Sequence, residues 1–182
     1  MSSFYIGLGE AEFIIRARNV KRWHIVPMTQ EQTIAEHQFN VASLCMHVMK
    51  GRHFAPAVIE WALVHDLPEV ITGDFPTHIK HYKPEIKASI DRMEMEIMPA
   101  WWRDAHDRFK ALPEPARLMF KACDIADTLM MAKYINHGLT KGWVQKGMGG
   151  RFESIWMALN ACEDRPYIED AEEYLREYVL YG

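Results

Sequence analysis

Apolar residues recur along this chain at intervals of three and four, the period of an α-helix, and no alternating run bounded by turn residues argues for a sheet. Phe13, Ile14 and Ala17 predict a helix over residues 10–18. A loop follows, RWHIVPMTQEQ, with Pro27 inside it. Thr33 then stands three residues before Glu36, the spacing of a capping box, and opens a helix through Phe39, Val41, Leu44, Val48 and Met49 that stops near Gly51. Pro56 suits the first turn of a third helix, whose Val58, Ile59, Ala62 and Leu63 share one face. Pro68 breaks that run, and TGDFPTH reads as a loop. A polar helix is expected from Pro84 to about Met98, and an apolar one from Pro115 through Met130. Two more are expected over residues 153–161 and 169–178. The stretch WWRDAHDRF after Pro99 has no decisive period. With no internal repeat and no linker, the pattern predicts an all-α helical bundle in a single domain, residues 1–182.

Composition narrows the function classes. A chain of 182 residues can bury about 70% of its unfolded surface, enough for a core without staples. The formal charge of −4 gives no reason to expect a nucleic-acid polymer or an anionic membrane as partner. No stretch has the apolar length of a membrane span, and the first residues lack the pattern of a signal peptide. The three cysteines, Cys45, Cys123 and Cys162, share no close spacing and fall in apolar helical patterns, so reduced thiols and a cytoplasmic setting are expected.

What the pattern does not explain is a set of polar residues inside apolar helices. His37 lies in TIAEHQFNV, His65 and Asp66 end PAVIEWALVHD, and Asp124 interrupts FKACDIADTLM. An unpaired carboxylate in such surroundings is costly, and a divalent cation removes the cost. Two imidazole nitrogens and two carboxylates leave room for water or substrate. That set suits manganese, iron, cobalt or magnesium better than a closed cysteine site, without excluding zinc. His47, His53, His81, His106 and His137 have no comparable context and read as ordinary core or surface residues.

The order of these segments, RWHIVPMTQEQTIAEHQFNVA, ALVHDLPEVITGDFPTHIK and FKACDIADTLM, resembles the HD-domain metal-dependent phosphohydrolases. The likeness is strongest to their compact deoxynucleotide-hydrolysing branch, which includes YfbR-like 5′-deoxynucleotidases and small phage dATP triphosphohydrolases. The resemblance implies an HD-domain bundle in which His37, His65, Asp66 and Asp124 hold the catalytic metal. It implies acid/base and substrate- or water-positioning roles for Glu69 and Asp74. It implies cleavage between the α-phosphorus and the deoxyribose 5′ oxygen, with dATP giving deoxyadenosine and triphosphate. The alternatives are a 5′-deoxynucleotidase acting on dNMPs and, in another class, a non-catalytic nucleotide-binding module.

Substrate contacts follow from the same segments. A triphosphate needs cations, and Arg22 and Lys80 are the candidate phosphate contacts. Trp23 is expected to stack on the sugar and reject a 2′-hydroxyl, Ile25 and Pro27 to continue that wall toward the base, and Thr77 and His78 to reach substrate from the loop. The family resemblance implies a homo-oligomer, dimer or hexamer, and the host cytoplasm if the chain is phage-encoded. Trp101, Trp102 and Trp156 could serve a subunit interface or the core.

Overall fold

Several of the predicted helix starts have a physical device behind them, a capping threonine or a proline in the first turn. The structure, a computed structural model, describes residues 10–75, 83–162 and 165–181. Helix α1 (Glu10–Ala17) leads into a two-residue ribbon in which β1 (Lys21–Arg22) pairs antiparallel with β2 (Gln32–Thr33). Thr33 then caps α2 (Ile34–Val48). Its Oγ1 accepts from the Glu36 N–H at 3.2 Å, and Glu36 Oε2 accepts from the Thr33 N–H at 2.7 Å. This reciprocal box satisfies two donors that the helix start would otherwise leave bare. The chain turns at Gly51 (φ +80°), a left-handed position that glycine tolerates without strain.

Helix α3 (Ala55–Val64) packs on α2, and Pro68 keeps it from running on. The single turn α4 (Glu69–Thr72) follows. Then come α5 (Pro84–Ile97), α6 (Ala100–Lys110), α7 (Glu114–Ala132), α8 (Gly138–Leu159) and α9 (Arg165–Tyr181). Helix α7 is the hub, packing on α8, α9 and α2. Trp102 of α6 is buried and donates its indole N–H to the Val64 carbonyl at 2.7 Å, tying α6 to the end of α3. Among the described residues no helix is long and apolar enough to cross a membrane.

The all-α expectation holds, with two local corrections and two open points decided. Helix α8 begins fifteen residues before the expected start at 153. Its buried stripe of Val144, Met148, Phe152 and Trp156 repeats every four residues, and burying it outweighs the helix-weakening glycines of its first half. WWRDAHDRF is helical because Trp102, Ala105 and Phe109 bury one face. Ile14, Phe39 and Leu63, which the periodicity places inward, are exposed at 62%, 67% and 47%. Trp102 and Trp156 fill the core, which decides their role, while Trp101 is half-buried. Cys45, Cys123 and Cys162 are all free thiols, the first two buried.

Candidate active site

The polar residues that broke the apolar pattern meet in one place. His37 projects from the first turns of α2, Asp124 from the middle of α7, and His65 and Asp66 from the turn that Pro68 forces at the end of α3. Ligand atoms of His37, His65 and Asp124 all lie within 4.8 Å of one another. His37 Nε2 is 3.2 Å from Asp124 Oδ1 and 3.6 Å from Asp66 Oδ2, and His65 Nε2 is 3.4 Å from Asp66 Oδ1. Yet neither Nε2 has a hydrogen-bond partner, although both are buried. His65 Nδ1 lies 2.9 Å from the Ala62 carbonyl, which can only accept, so the proton sits on Nδ1 and the Nε2 lone pair faces the carboxylates.

Electrostatics favour the same composition. Burial opposes ionisation of Asp124, but Lys121 and the two histidines hold its carboxyl well below the usual range. Burial likewise opposes ionised Asp66, and His65, His37 and Arg22 overcome it. His65 is pushed down by burial, which keeps its imidazole neutral. Burial and Arg22 also pull His37 down, but Asp124, Asp127 and Asp66 outweigh them and raise it. Buried Nε2 atoms with no partner, facing ionised carboxylates, form a donor set that fits a divalent cation.

Around this cluster opens a cleft of about 870 Å³. Arg22, Trp23 and Ile25 line it from one side, Glu69 and Asp74 from another, and Leu139, Trp143 and Arg151 of α8 from a third. Glu69 is buried at 7% exposure beside His65 and Asp66, at the start of α4. Asp74 accepts from the backbone N–H of Trp23 at 2.8 Å, and so holds a residue whose φ of 61° is left-handed. For a bulky side chain that conformation costs on the order of 1–2 kcal/mol, and it aims the chain around Trp23 into the cleft. Arg22 is anchored by Gln32 Oε1 at 2.9 Å and Thr128 Oγ1 at 3.3 Å.

Pro27 does not line the cleft. It is exposed, and its carbonyl accepts from the Asn136 N–H at 2.9 Å, beside the bridge between Met28 and Ile135. Thr77, His78 and Lys80 lie outside the described residues.

Sequence reasoning missed two parts of the site. One is the α8 wall, hidden with the helix itself. The other is Asp127, fully buried behind His37, with its Oδ2 2.6 Å from His37 Nδ1. Gln32 Nε2 donates to it at 2.8 Å, and Asn40 Nδ2 and the Tyr178 hydroxyl each donate at 3.0 Å. Its signal was present as a second aspartate three residues after Asp124, one turn along the same apolar helix.

Comparison with known proteins places this geometry. The family model described as 5′-deoxynucleotidase YfbR-like matches residues 11–132. The dATP triphosphohydrolase of Cyanophage S-2L is 35% identical over 123 residues, which are 65% of this chain and 67% of that one. The 5′-deoxynucleotidase of Vibrio cholerae serotype O1 is 30% identical over 105 residues, 50% of this chain and 54% of that one. The chain thus spans about half the length of the curated 5′-deoxynucleotidases it matches. Among solved structures, the Cyanophage S-2L HD phosphohydrolase DatZ, bound to dA and one catalytic Zn2+ ion, superposes with a TM-score of 0.78 at 28% identity. The match covers 96% of this chain and 99% of that one.

Proposed function

Because the chain belongs to the YfbR-like 5′-deoxynucleotidase family of HD-domain phosphohydrolases, we propose that it is a metal-dependent dATP triphosphohydrolase. The reaction adds water at the α-phosphorus and breaks its bond to the deoxyribose 5′ oxygen, leaving deoxyadenosine and triphosphate. The observation that carries the reading is the convergence of His37, His65 and Asp124 at a cleft walled by aromatic and cationic side chains. With Asp66, these residues would hold a divalent ion, which supplies Lewis-acid polarisation of a phosphoryl oxygen and acidifies water. The similarity to the Cyanophage S-2L enzyme supports dATP as substrate.

The chain's own side chains divide the remaining work. Glu69, buried in the cleft beside the cluster, takes the proton of the attacking water and returns one to the departing 5′ oxygen. Asp74 holds the Trp23 turn, and the indole packs against the sugar where a 2′-hydroxyl would need room. Arg22, fixed at the cleft floor by Gln32 and Thr128, meets the phosphate nearest the cluster. Among the described residues, Lys87, Lys121 and Arg151 also line the cleft; Lys87 and Lys121 would exchange their pairing with Asp91 and Asp124 to meet the rest of a triphosphate.

A 5′-deoxynucleotidase acting on dNMPs is the second reading, favoured by the similarity to the Vibrio cholerae enzyme. One experiment separates the two. Protein loaded in turn with Zn, Mn, Co or Mg is given each dNTP and dNMP, and the phosphorus product is identified by 31P NMR. Triphosphate from dATP is the expected result. Orthophosphate from several dNMPs, with every dNTP untouched, overturns it in favour of the second reading.

A further inference from the structure

The environment of Asp127 has more organisation than a buried aspartate needs for packing. It is fully buried and collects hydrogen bonds from two other helices and the ribbon. Gln32 comes from β2, His37 and Asn40 from α2, and Tyr178 from α9. Arg22 is not its principal partner, since Nη1 stands 3.7 Å from Oδ2, whereas Gln32 Oε1 takes that nitrogen at 2.9 Å. The shortest contact is the one to His37 Nδ1, at 2.6 Å.

That contact fixes a proton. Arg22 Nη1 also lies 2.7 Å from His37 Nδ1, so two tautomers compete. If Nδ1 accepted from Arg22, its lone pair and that of the carboxylate would face each other at 2.6 Å with no proton between them. The imidazole proton would then sit on Nε2, pointing among Asp124 and Asp66 and closing the cluster to a cation. With the proton on Nδ1, Asp127 accepts it, Arg22 turns its N–H to Gln32, and Nε2 presents a lone pair. A neutral amide in place of Asp127 has one accepting oxygen, so it could serve the Gln32 side or the Tyr178 side but not both. Only the anion also makes the imidazole a stronger donor at its far nitrogen.

We infer that Asp127 is the positioning residue of the metal centre, fixing His37 so that Nε2 faces Asp124 and His65, and that Tyr178 of the C-terminal helix holds Asp127 in place. The inference rests on the metal reading proposed above. It assigns α9, which lies beyond the matched residues 11–132, a part in the site.

The test uses the full chain and Co(II) alone as probe, in wild type, Asp127→Asn and Tyr178→Phe. Co(II) affinity is read by competition with a chelator, and the ligand field by the visible band. Zinc-loaded protein adds a second signature, an exchange-protected His37 Nδ1–H resonance. Asp127→Asn is expected to weaken Co(II) about 10- to 100-fold, shift the band and lose the protected resonance. Tyr178→Phe, which keeps its ring in place, is expected to weaken Co(II) several-fold. If wild type gives no Co(II) band, the metal reading fails and the inference fails with it. If wild type binds but Asp127→Asn binds equally with the same band, the inference is overturned and the metal reading stands. A lower melting temperature with unchanged Co(II) affinity marks a merely structural role and overturns the inference in the same way. Should Asp127→Asn not fold, Tyr178→Phe decides, and an unmoved affinity and band overturn the inference.

Discussion

Helix α9 reaches in two directions. Tyr178 points inward to Asp127, while Arg176, two residues earlier, points outward and grips Glu153 through both Nη atoms at 2.8 Å and Glu172 through Nε at 2.9 Å. By geometry alone the outer cluster is the stronger, a bidentate pair with a third carboxylate contact. Its members, however, reach solvent, with Arg176 at 41%, Glu153 at 56% and Glu172 at 21% exposure, whereas Asp127 is fully buried. Water can replace each outer bond with one almost as good, so the outer cluster contributes little net stability. No water replaces the inner ones, so a lost partner there strands a charge. Similar sets of hydrogen bonds therefore carry unequal consequences, and burial decides which set matters.

The contrast can be broken by substitution. Asp124→Ala, which empties one corner of the cluster, is expected to abolish both metal content and hydrolysis; retention of both, by metal analysis and product assay, removes the enzyme reading altogether. Glu69→Gln should keep the metal while lowering kcat by about 10²- to 10⁴-fold, the range of a lost proton-transfer group. Asp127→Ala should cost about 3–5 kcal/mol in urea unfolding, because it removes the buried carboxylate that accepts from Gln32, His37, Asn40 and Tyr178 and leaves those buried donors unpaired. Arg176→Ala should cost no more than about 1 kcal/mol, and salt at about 1 M should erase even that. If the outer substitution proved the more damaging, burial would not be the deciding variable.

Acid sharpens the same point. Burial works against ionised Asp127, but His37 and Arg22 hold its carboxyl below the ordinary range, as Lys121 and the histidines do for Asp124. A carboxylate depressed in the folded state adds stability above its unfolded value, about 3.9, and loses it as the pH falls through the folded value. Metal-free protein should therefore lose stability below about pH 4, and Asp127→Ala should lose less over that interval. Glu153 is also shifted down, by its bonds to Arg176, but it faces solvent, and Arg176→Ala should leave the acid midpoint where it was.

Much of this was legible in the sequence for one reason: violations of a hydrophobic period are visible. His37, His65, Asp66 and Asp124 stood out because nothing else explained polar residues in those apolar runs, and the structure brings them together. Asp127 broke the same run but follows Asp124 by one turn, so its separate partners became visible only in three dimensions. Helix α8 was obscured by Gly142, Gly147, Gly149 and Gly150, each of which weakens a helix interior by about 1 kcal/mol relative to alanine. The four-residue recurrence of Val144, Met148, Phe152 and Trp156 was the countervailing signal, and tertiary burial favoured it. Ile14, Phe39 and Leu63 erred the other way, since periodicity reports a face without saying whether a neighbour covers it.

The left-handed turn at Trp23 has a consequence for how such a chain can change over generations. On the backbone alone, glycine or asparagine would occupy that position with less strain. The bulky indole persists there against a conformational preference, with Asp74 as the restraint that keeps it. Variants of this chain selected only for resistance to heat should drift toward smaller residues at position 23, and variants selected for turnover on deoxynucleotides should not. With Trp23 in the sugar-packing role proposed above, robustness and selectivity are opposed at a single residue.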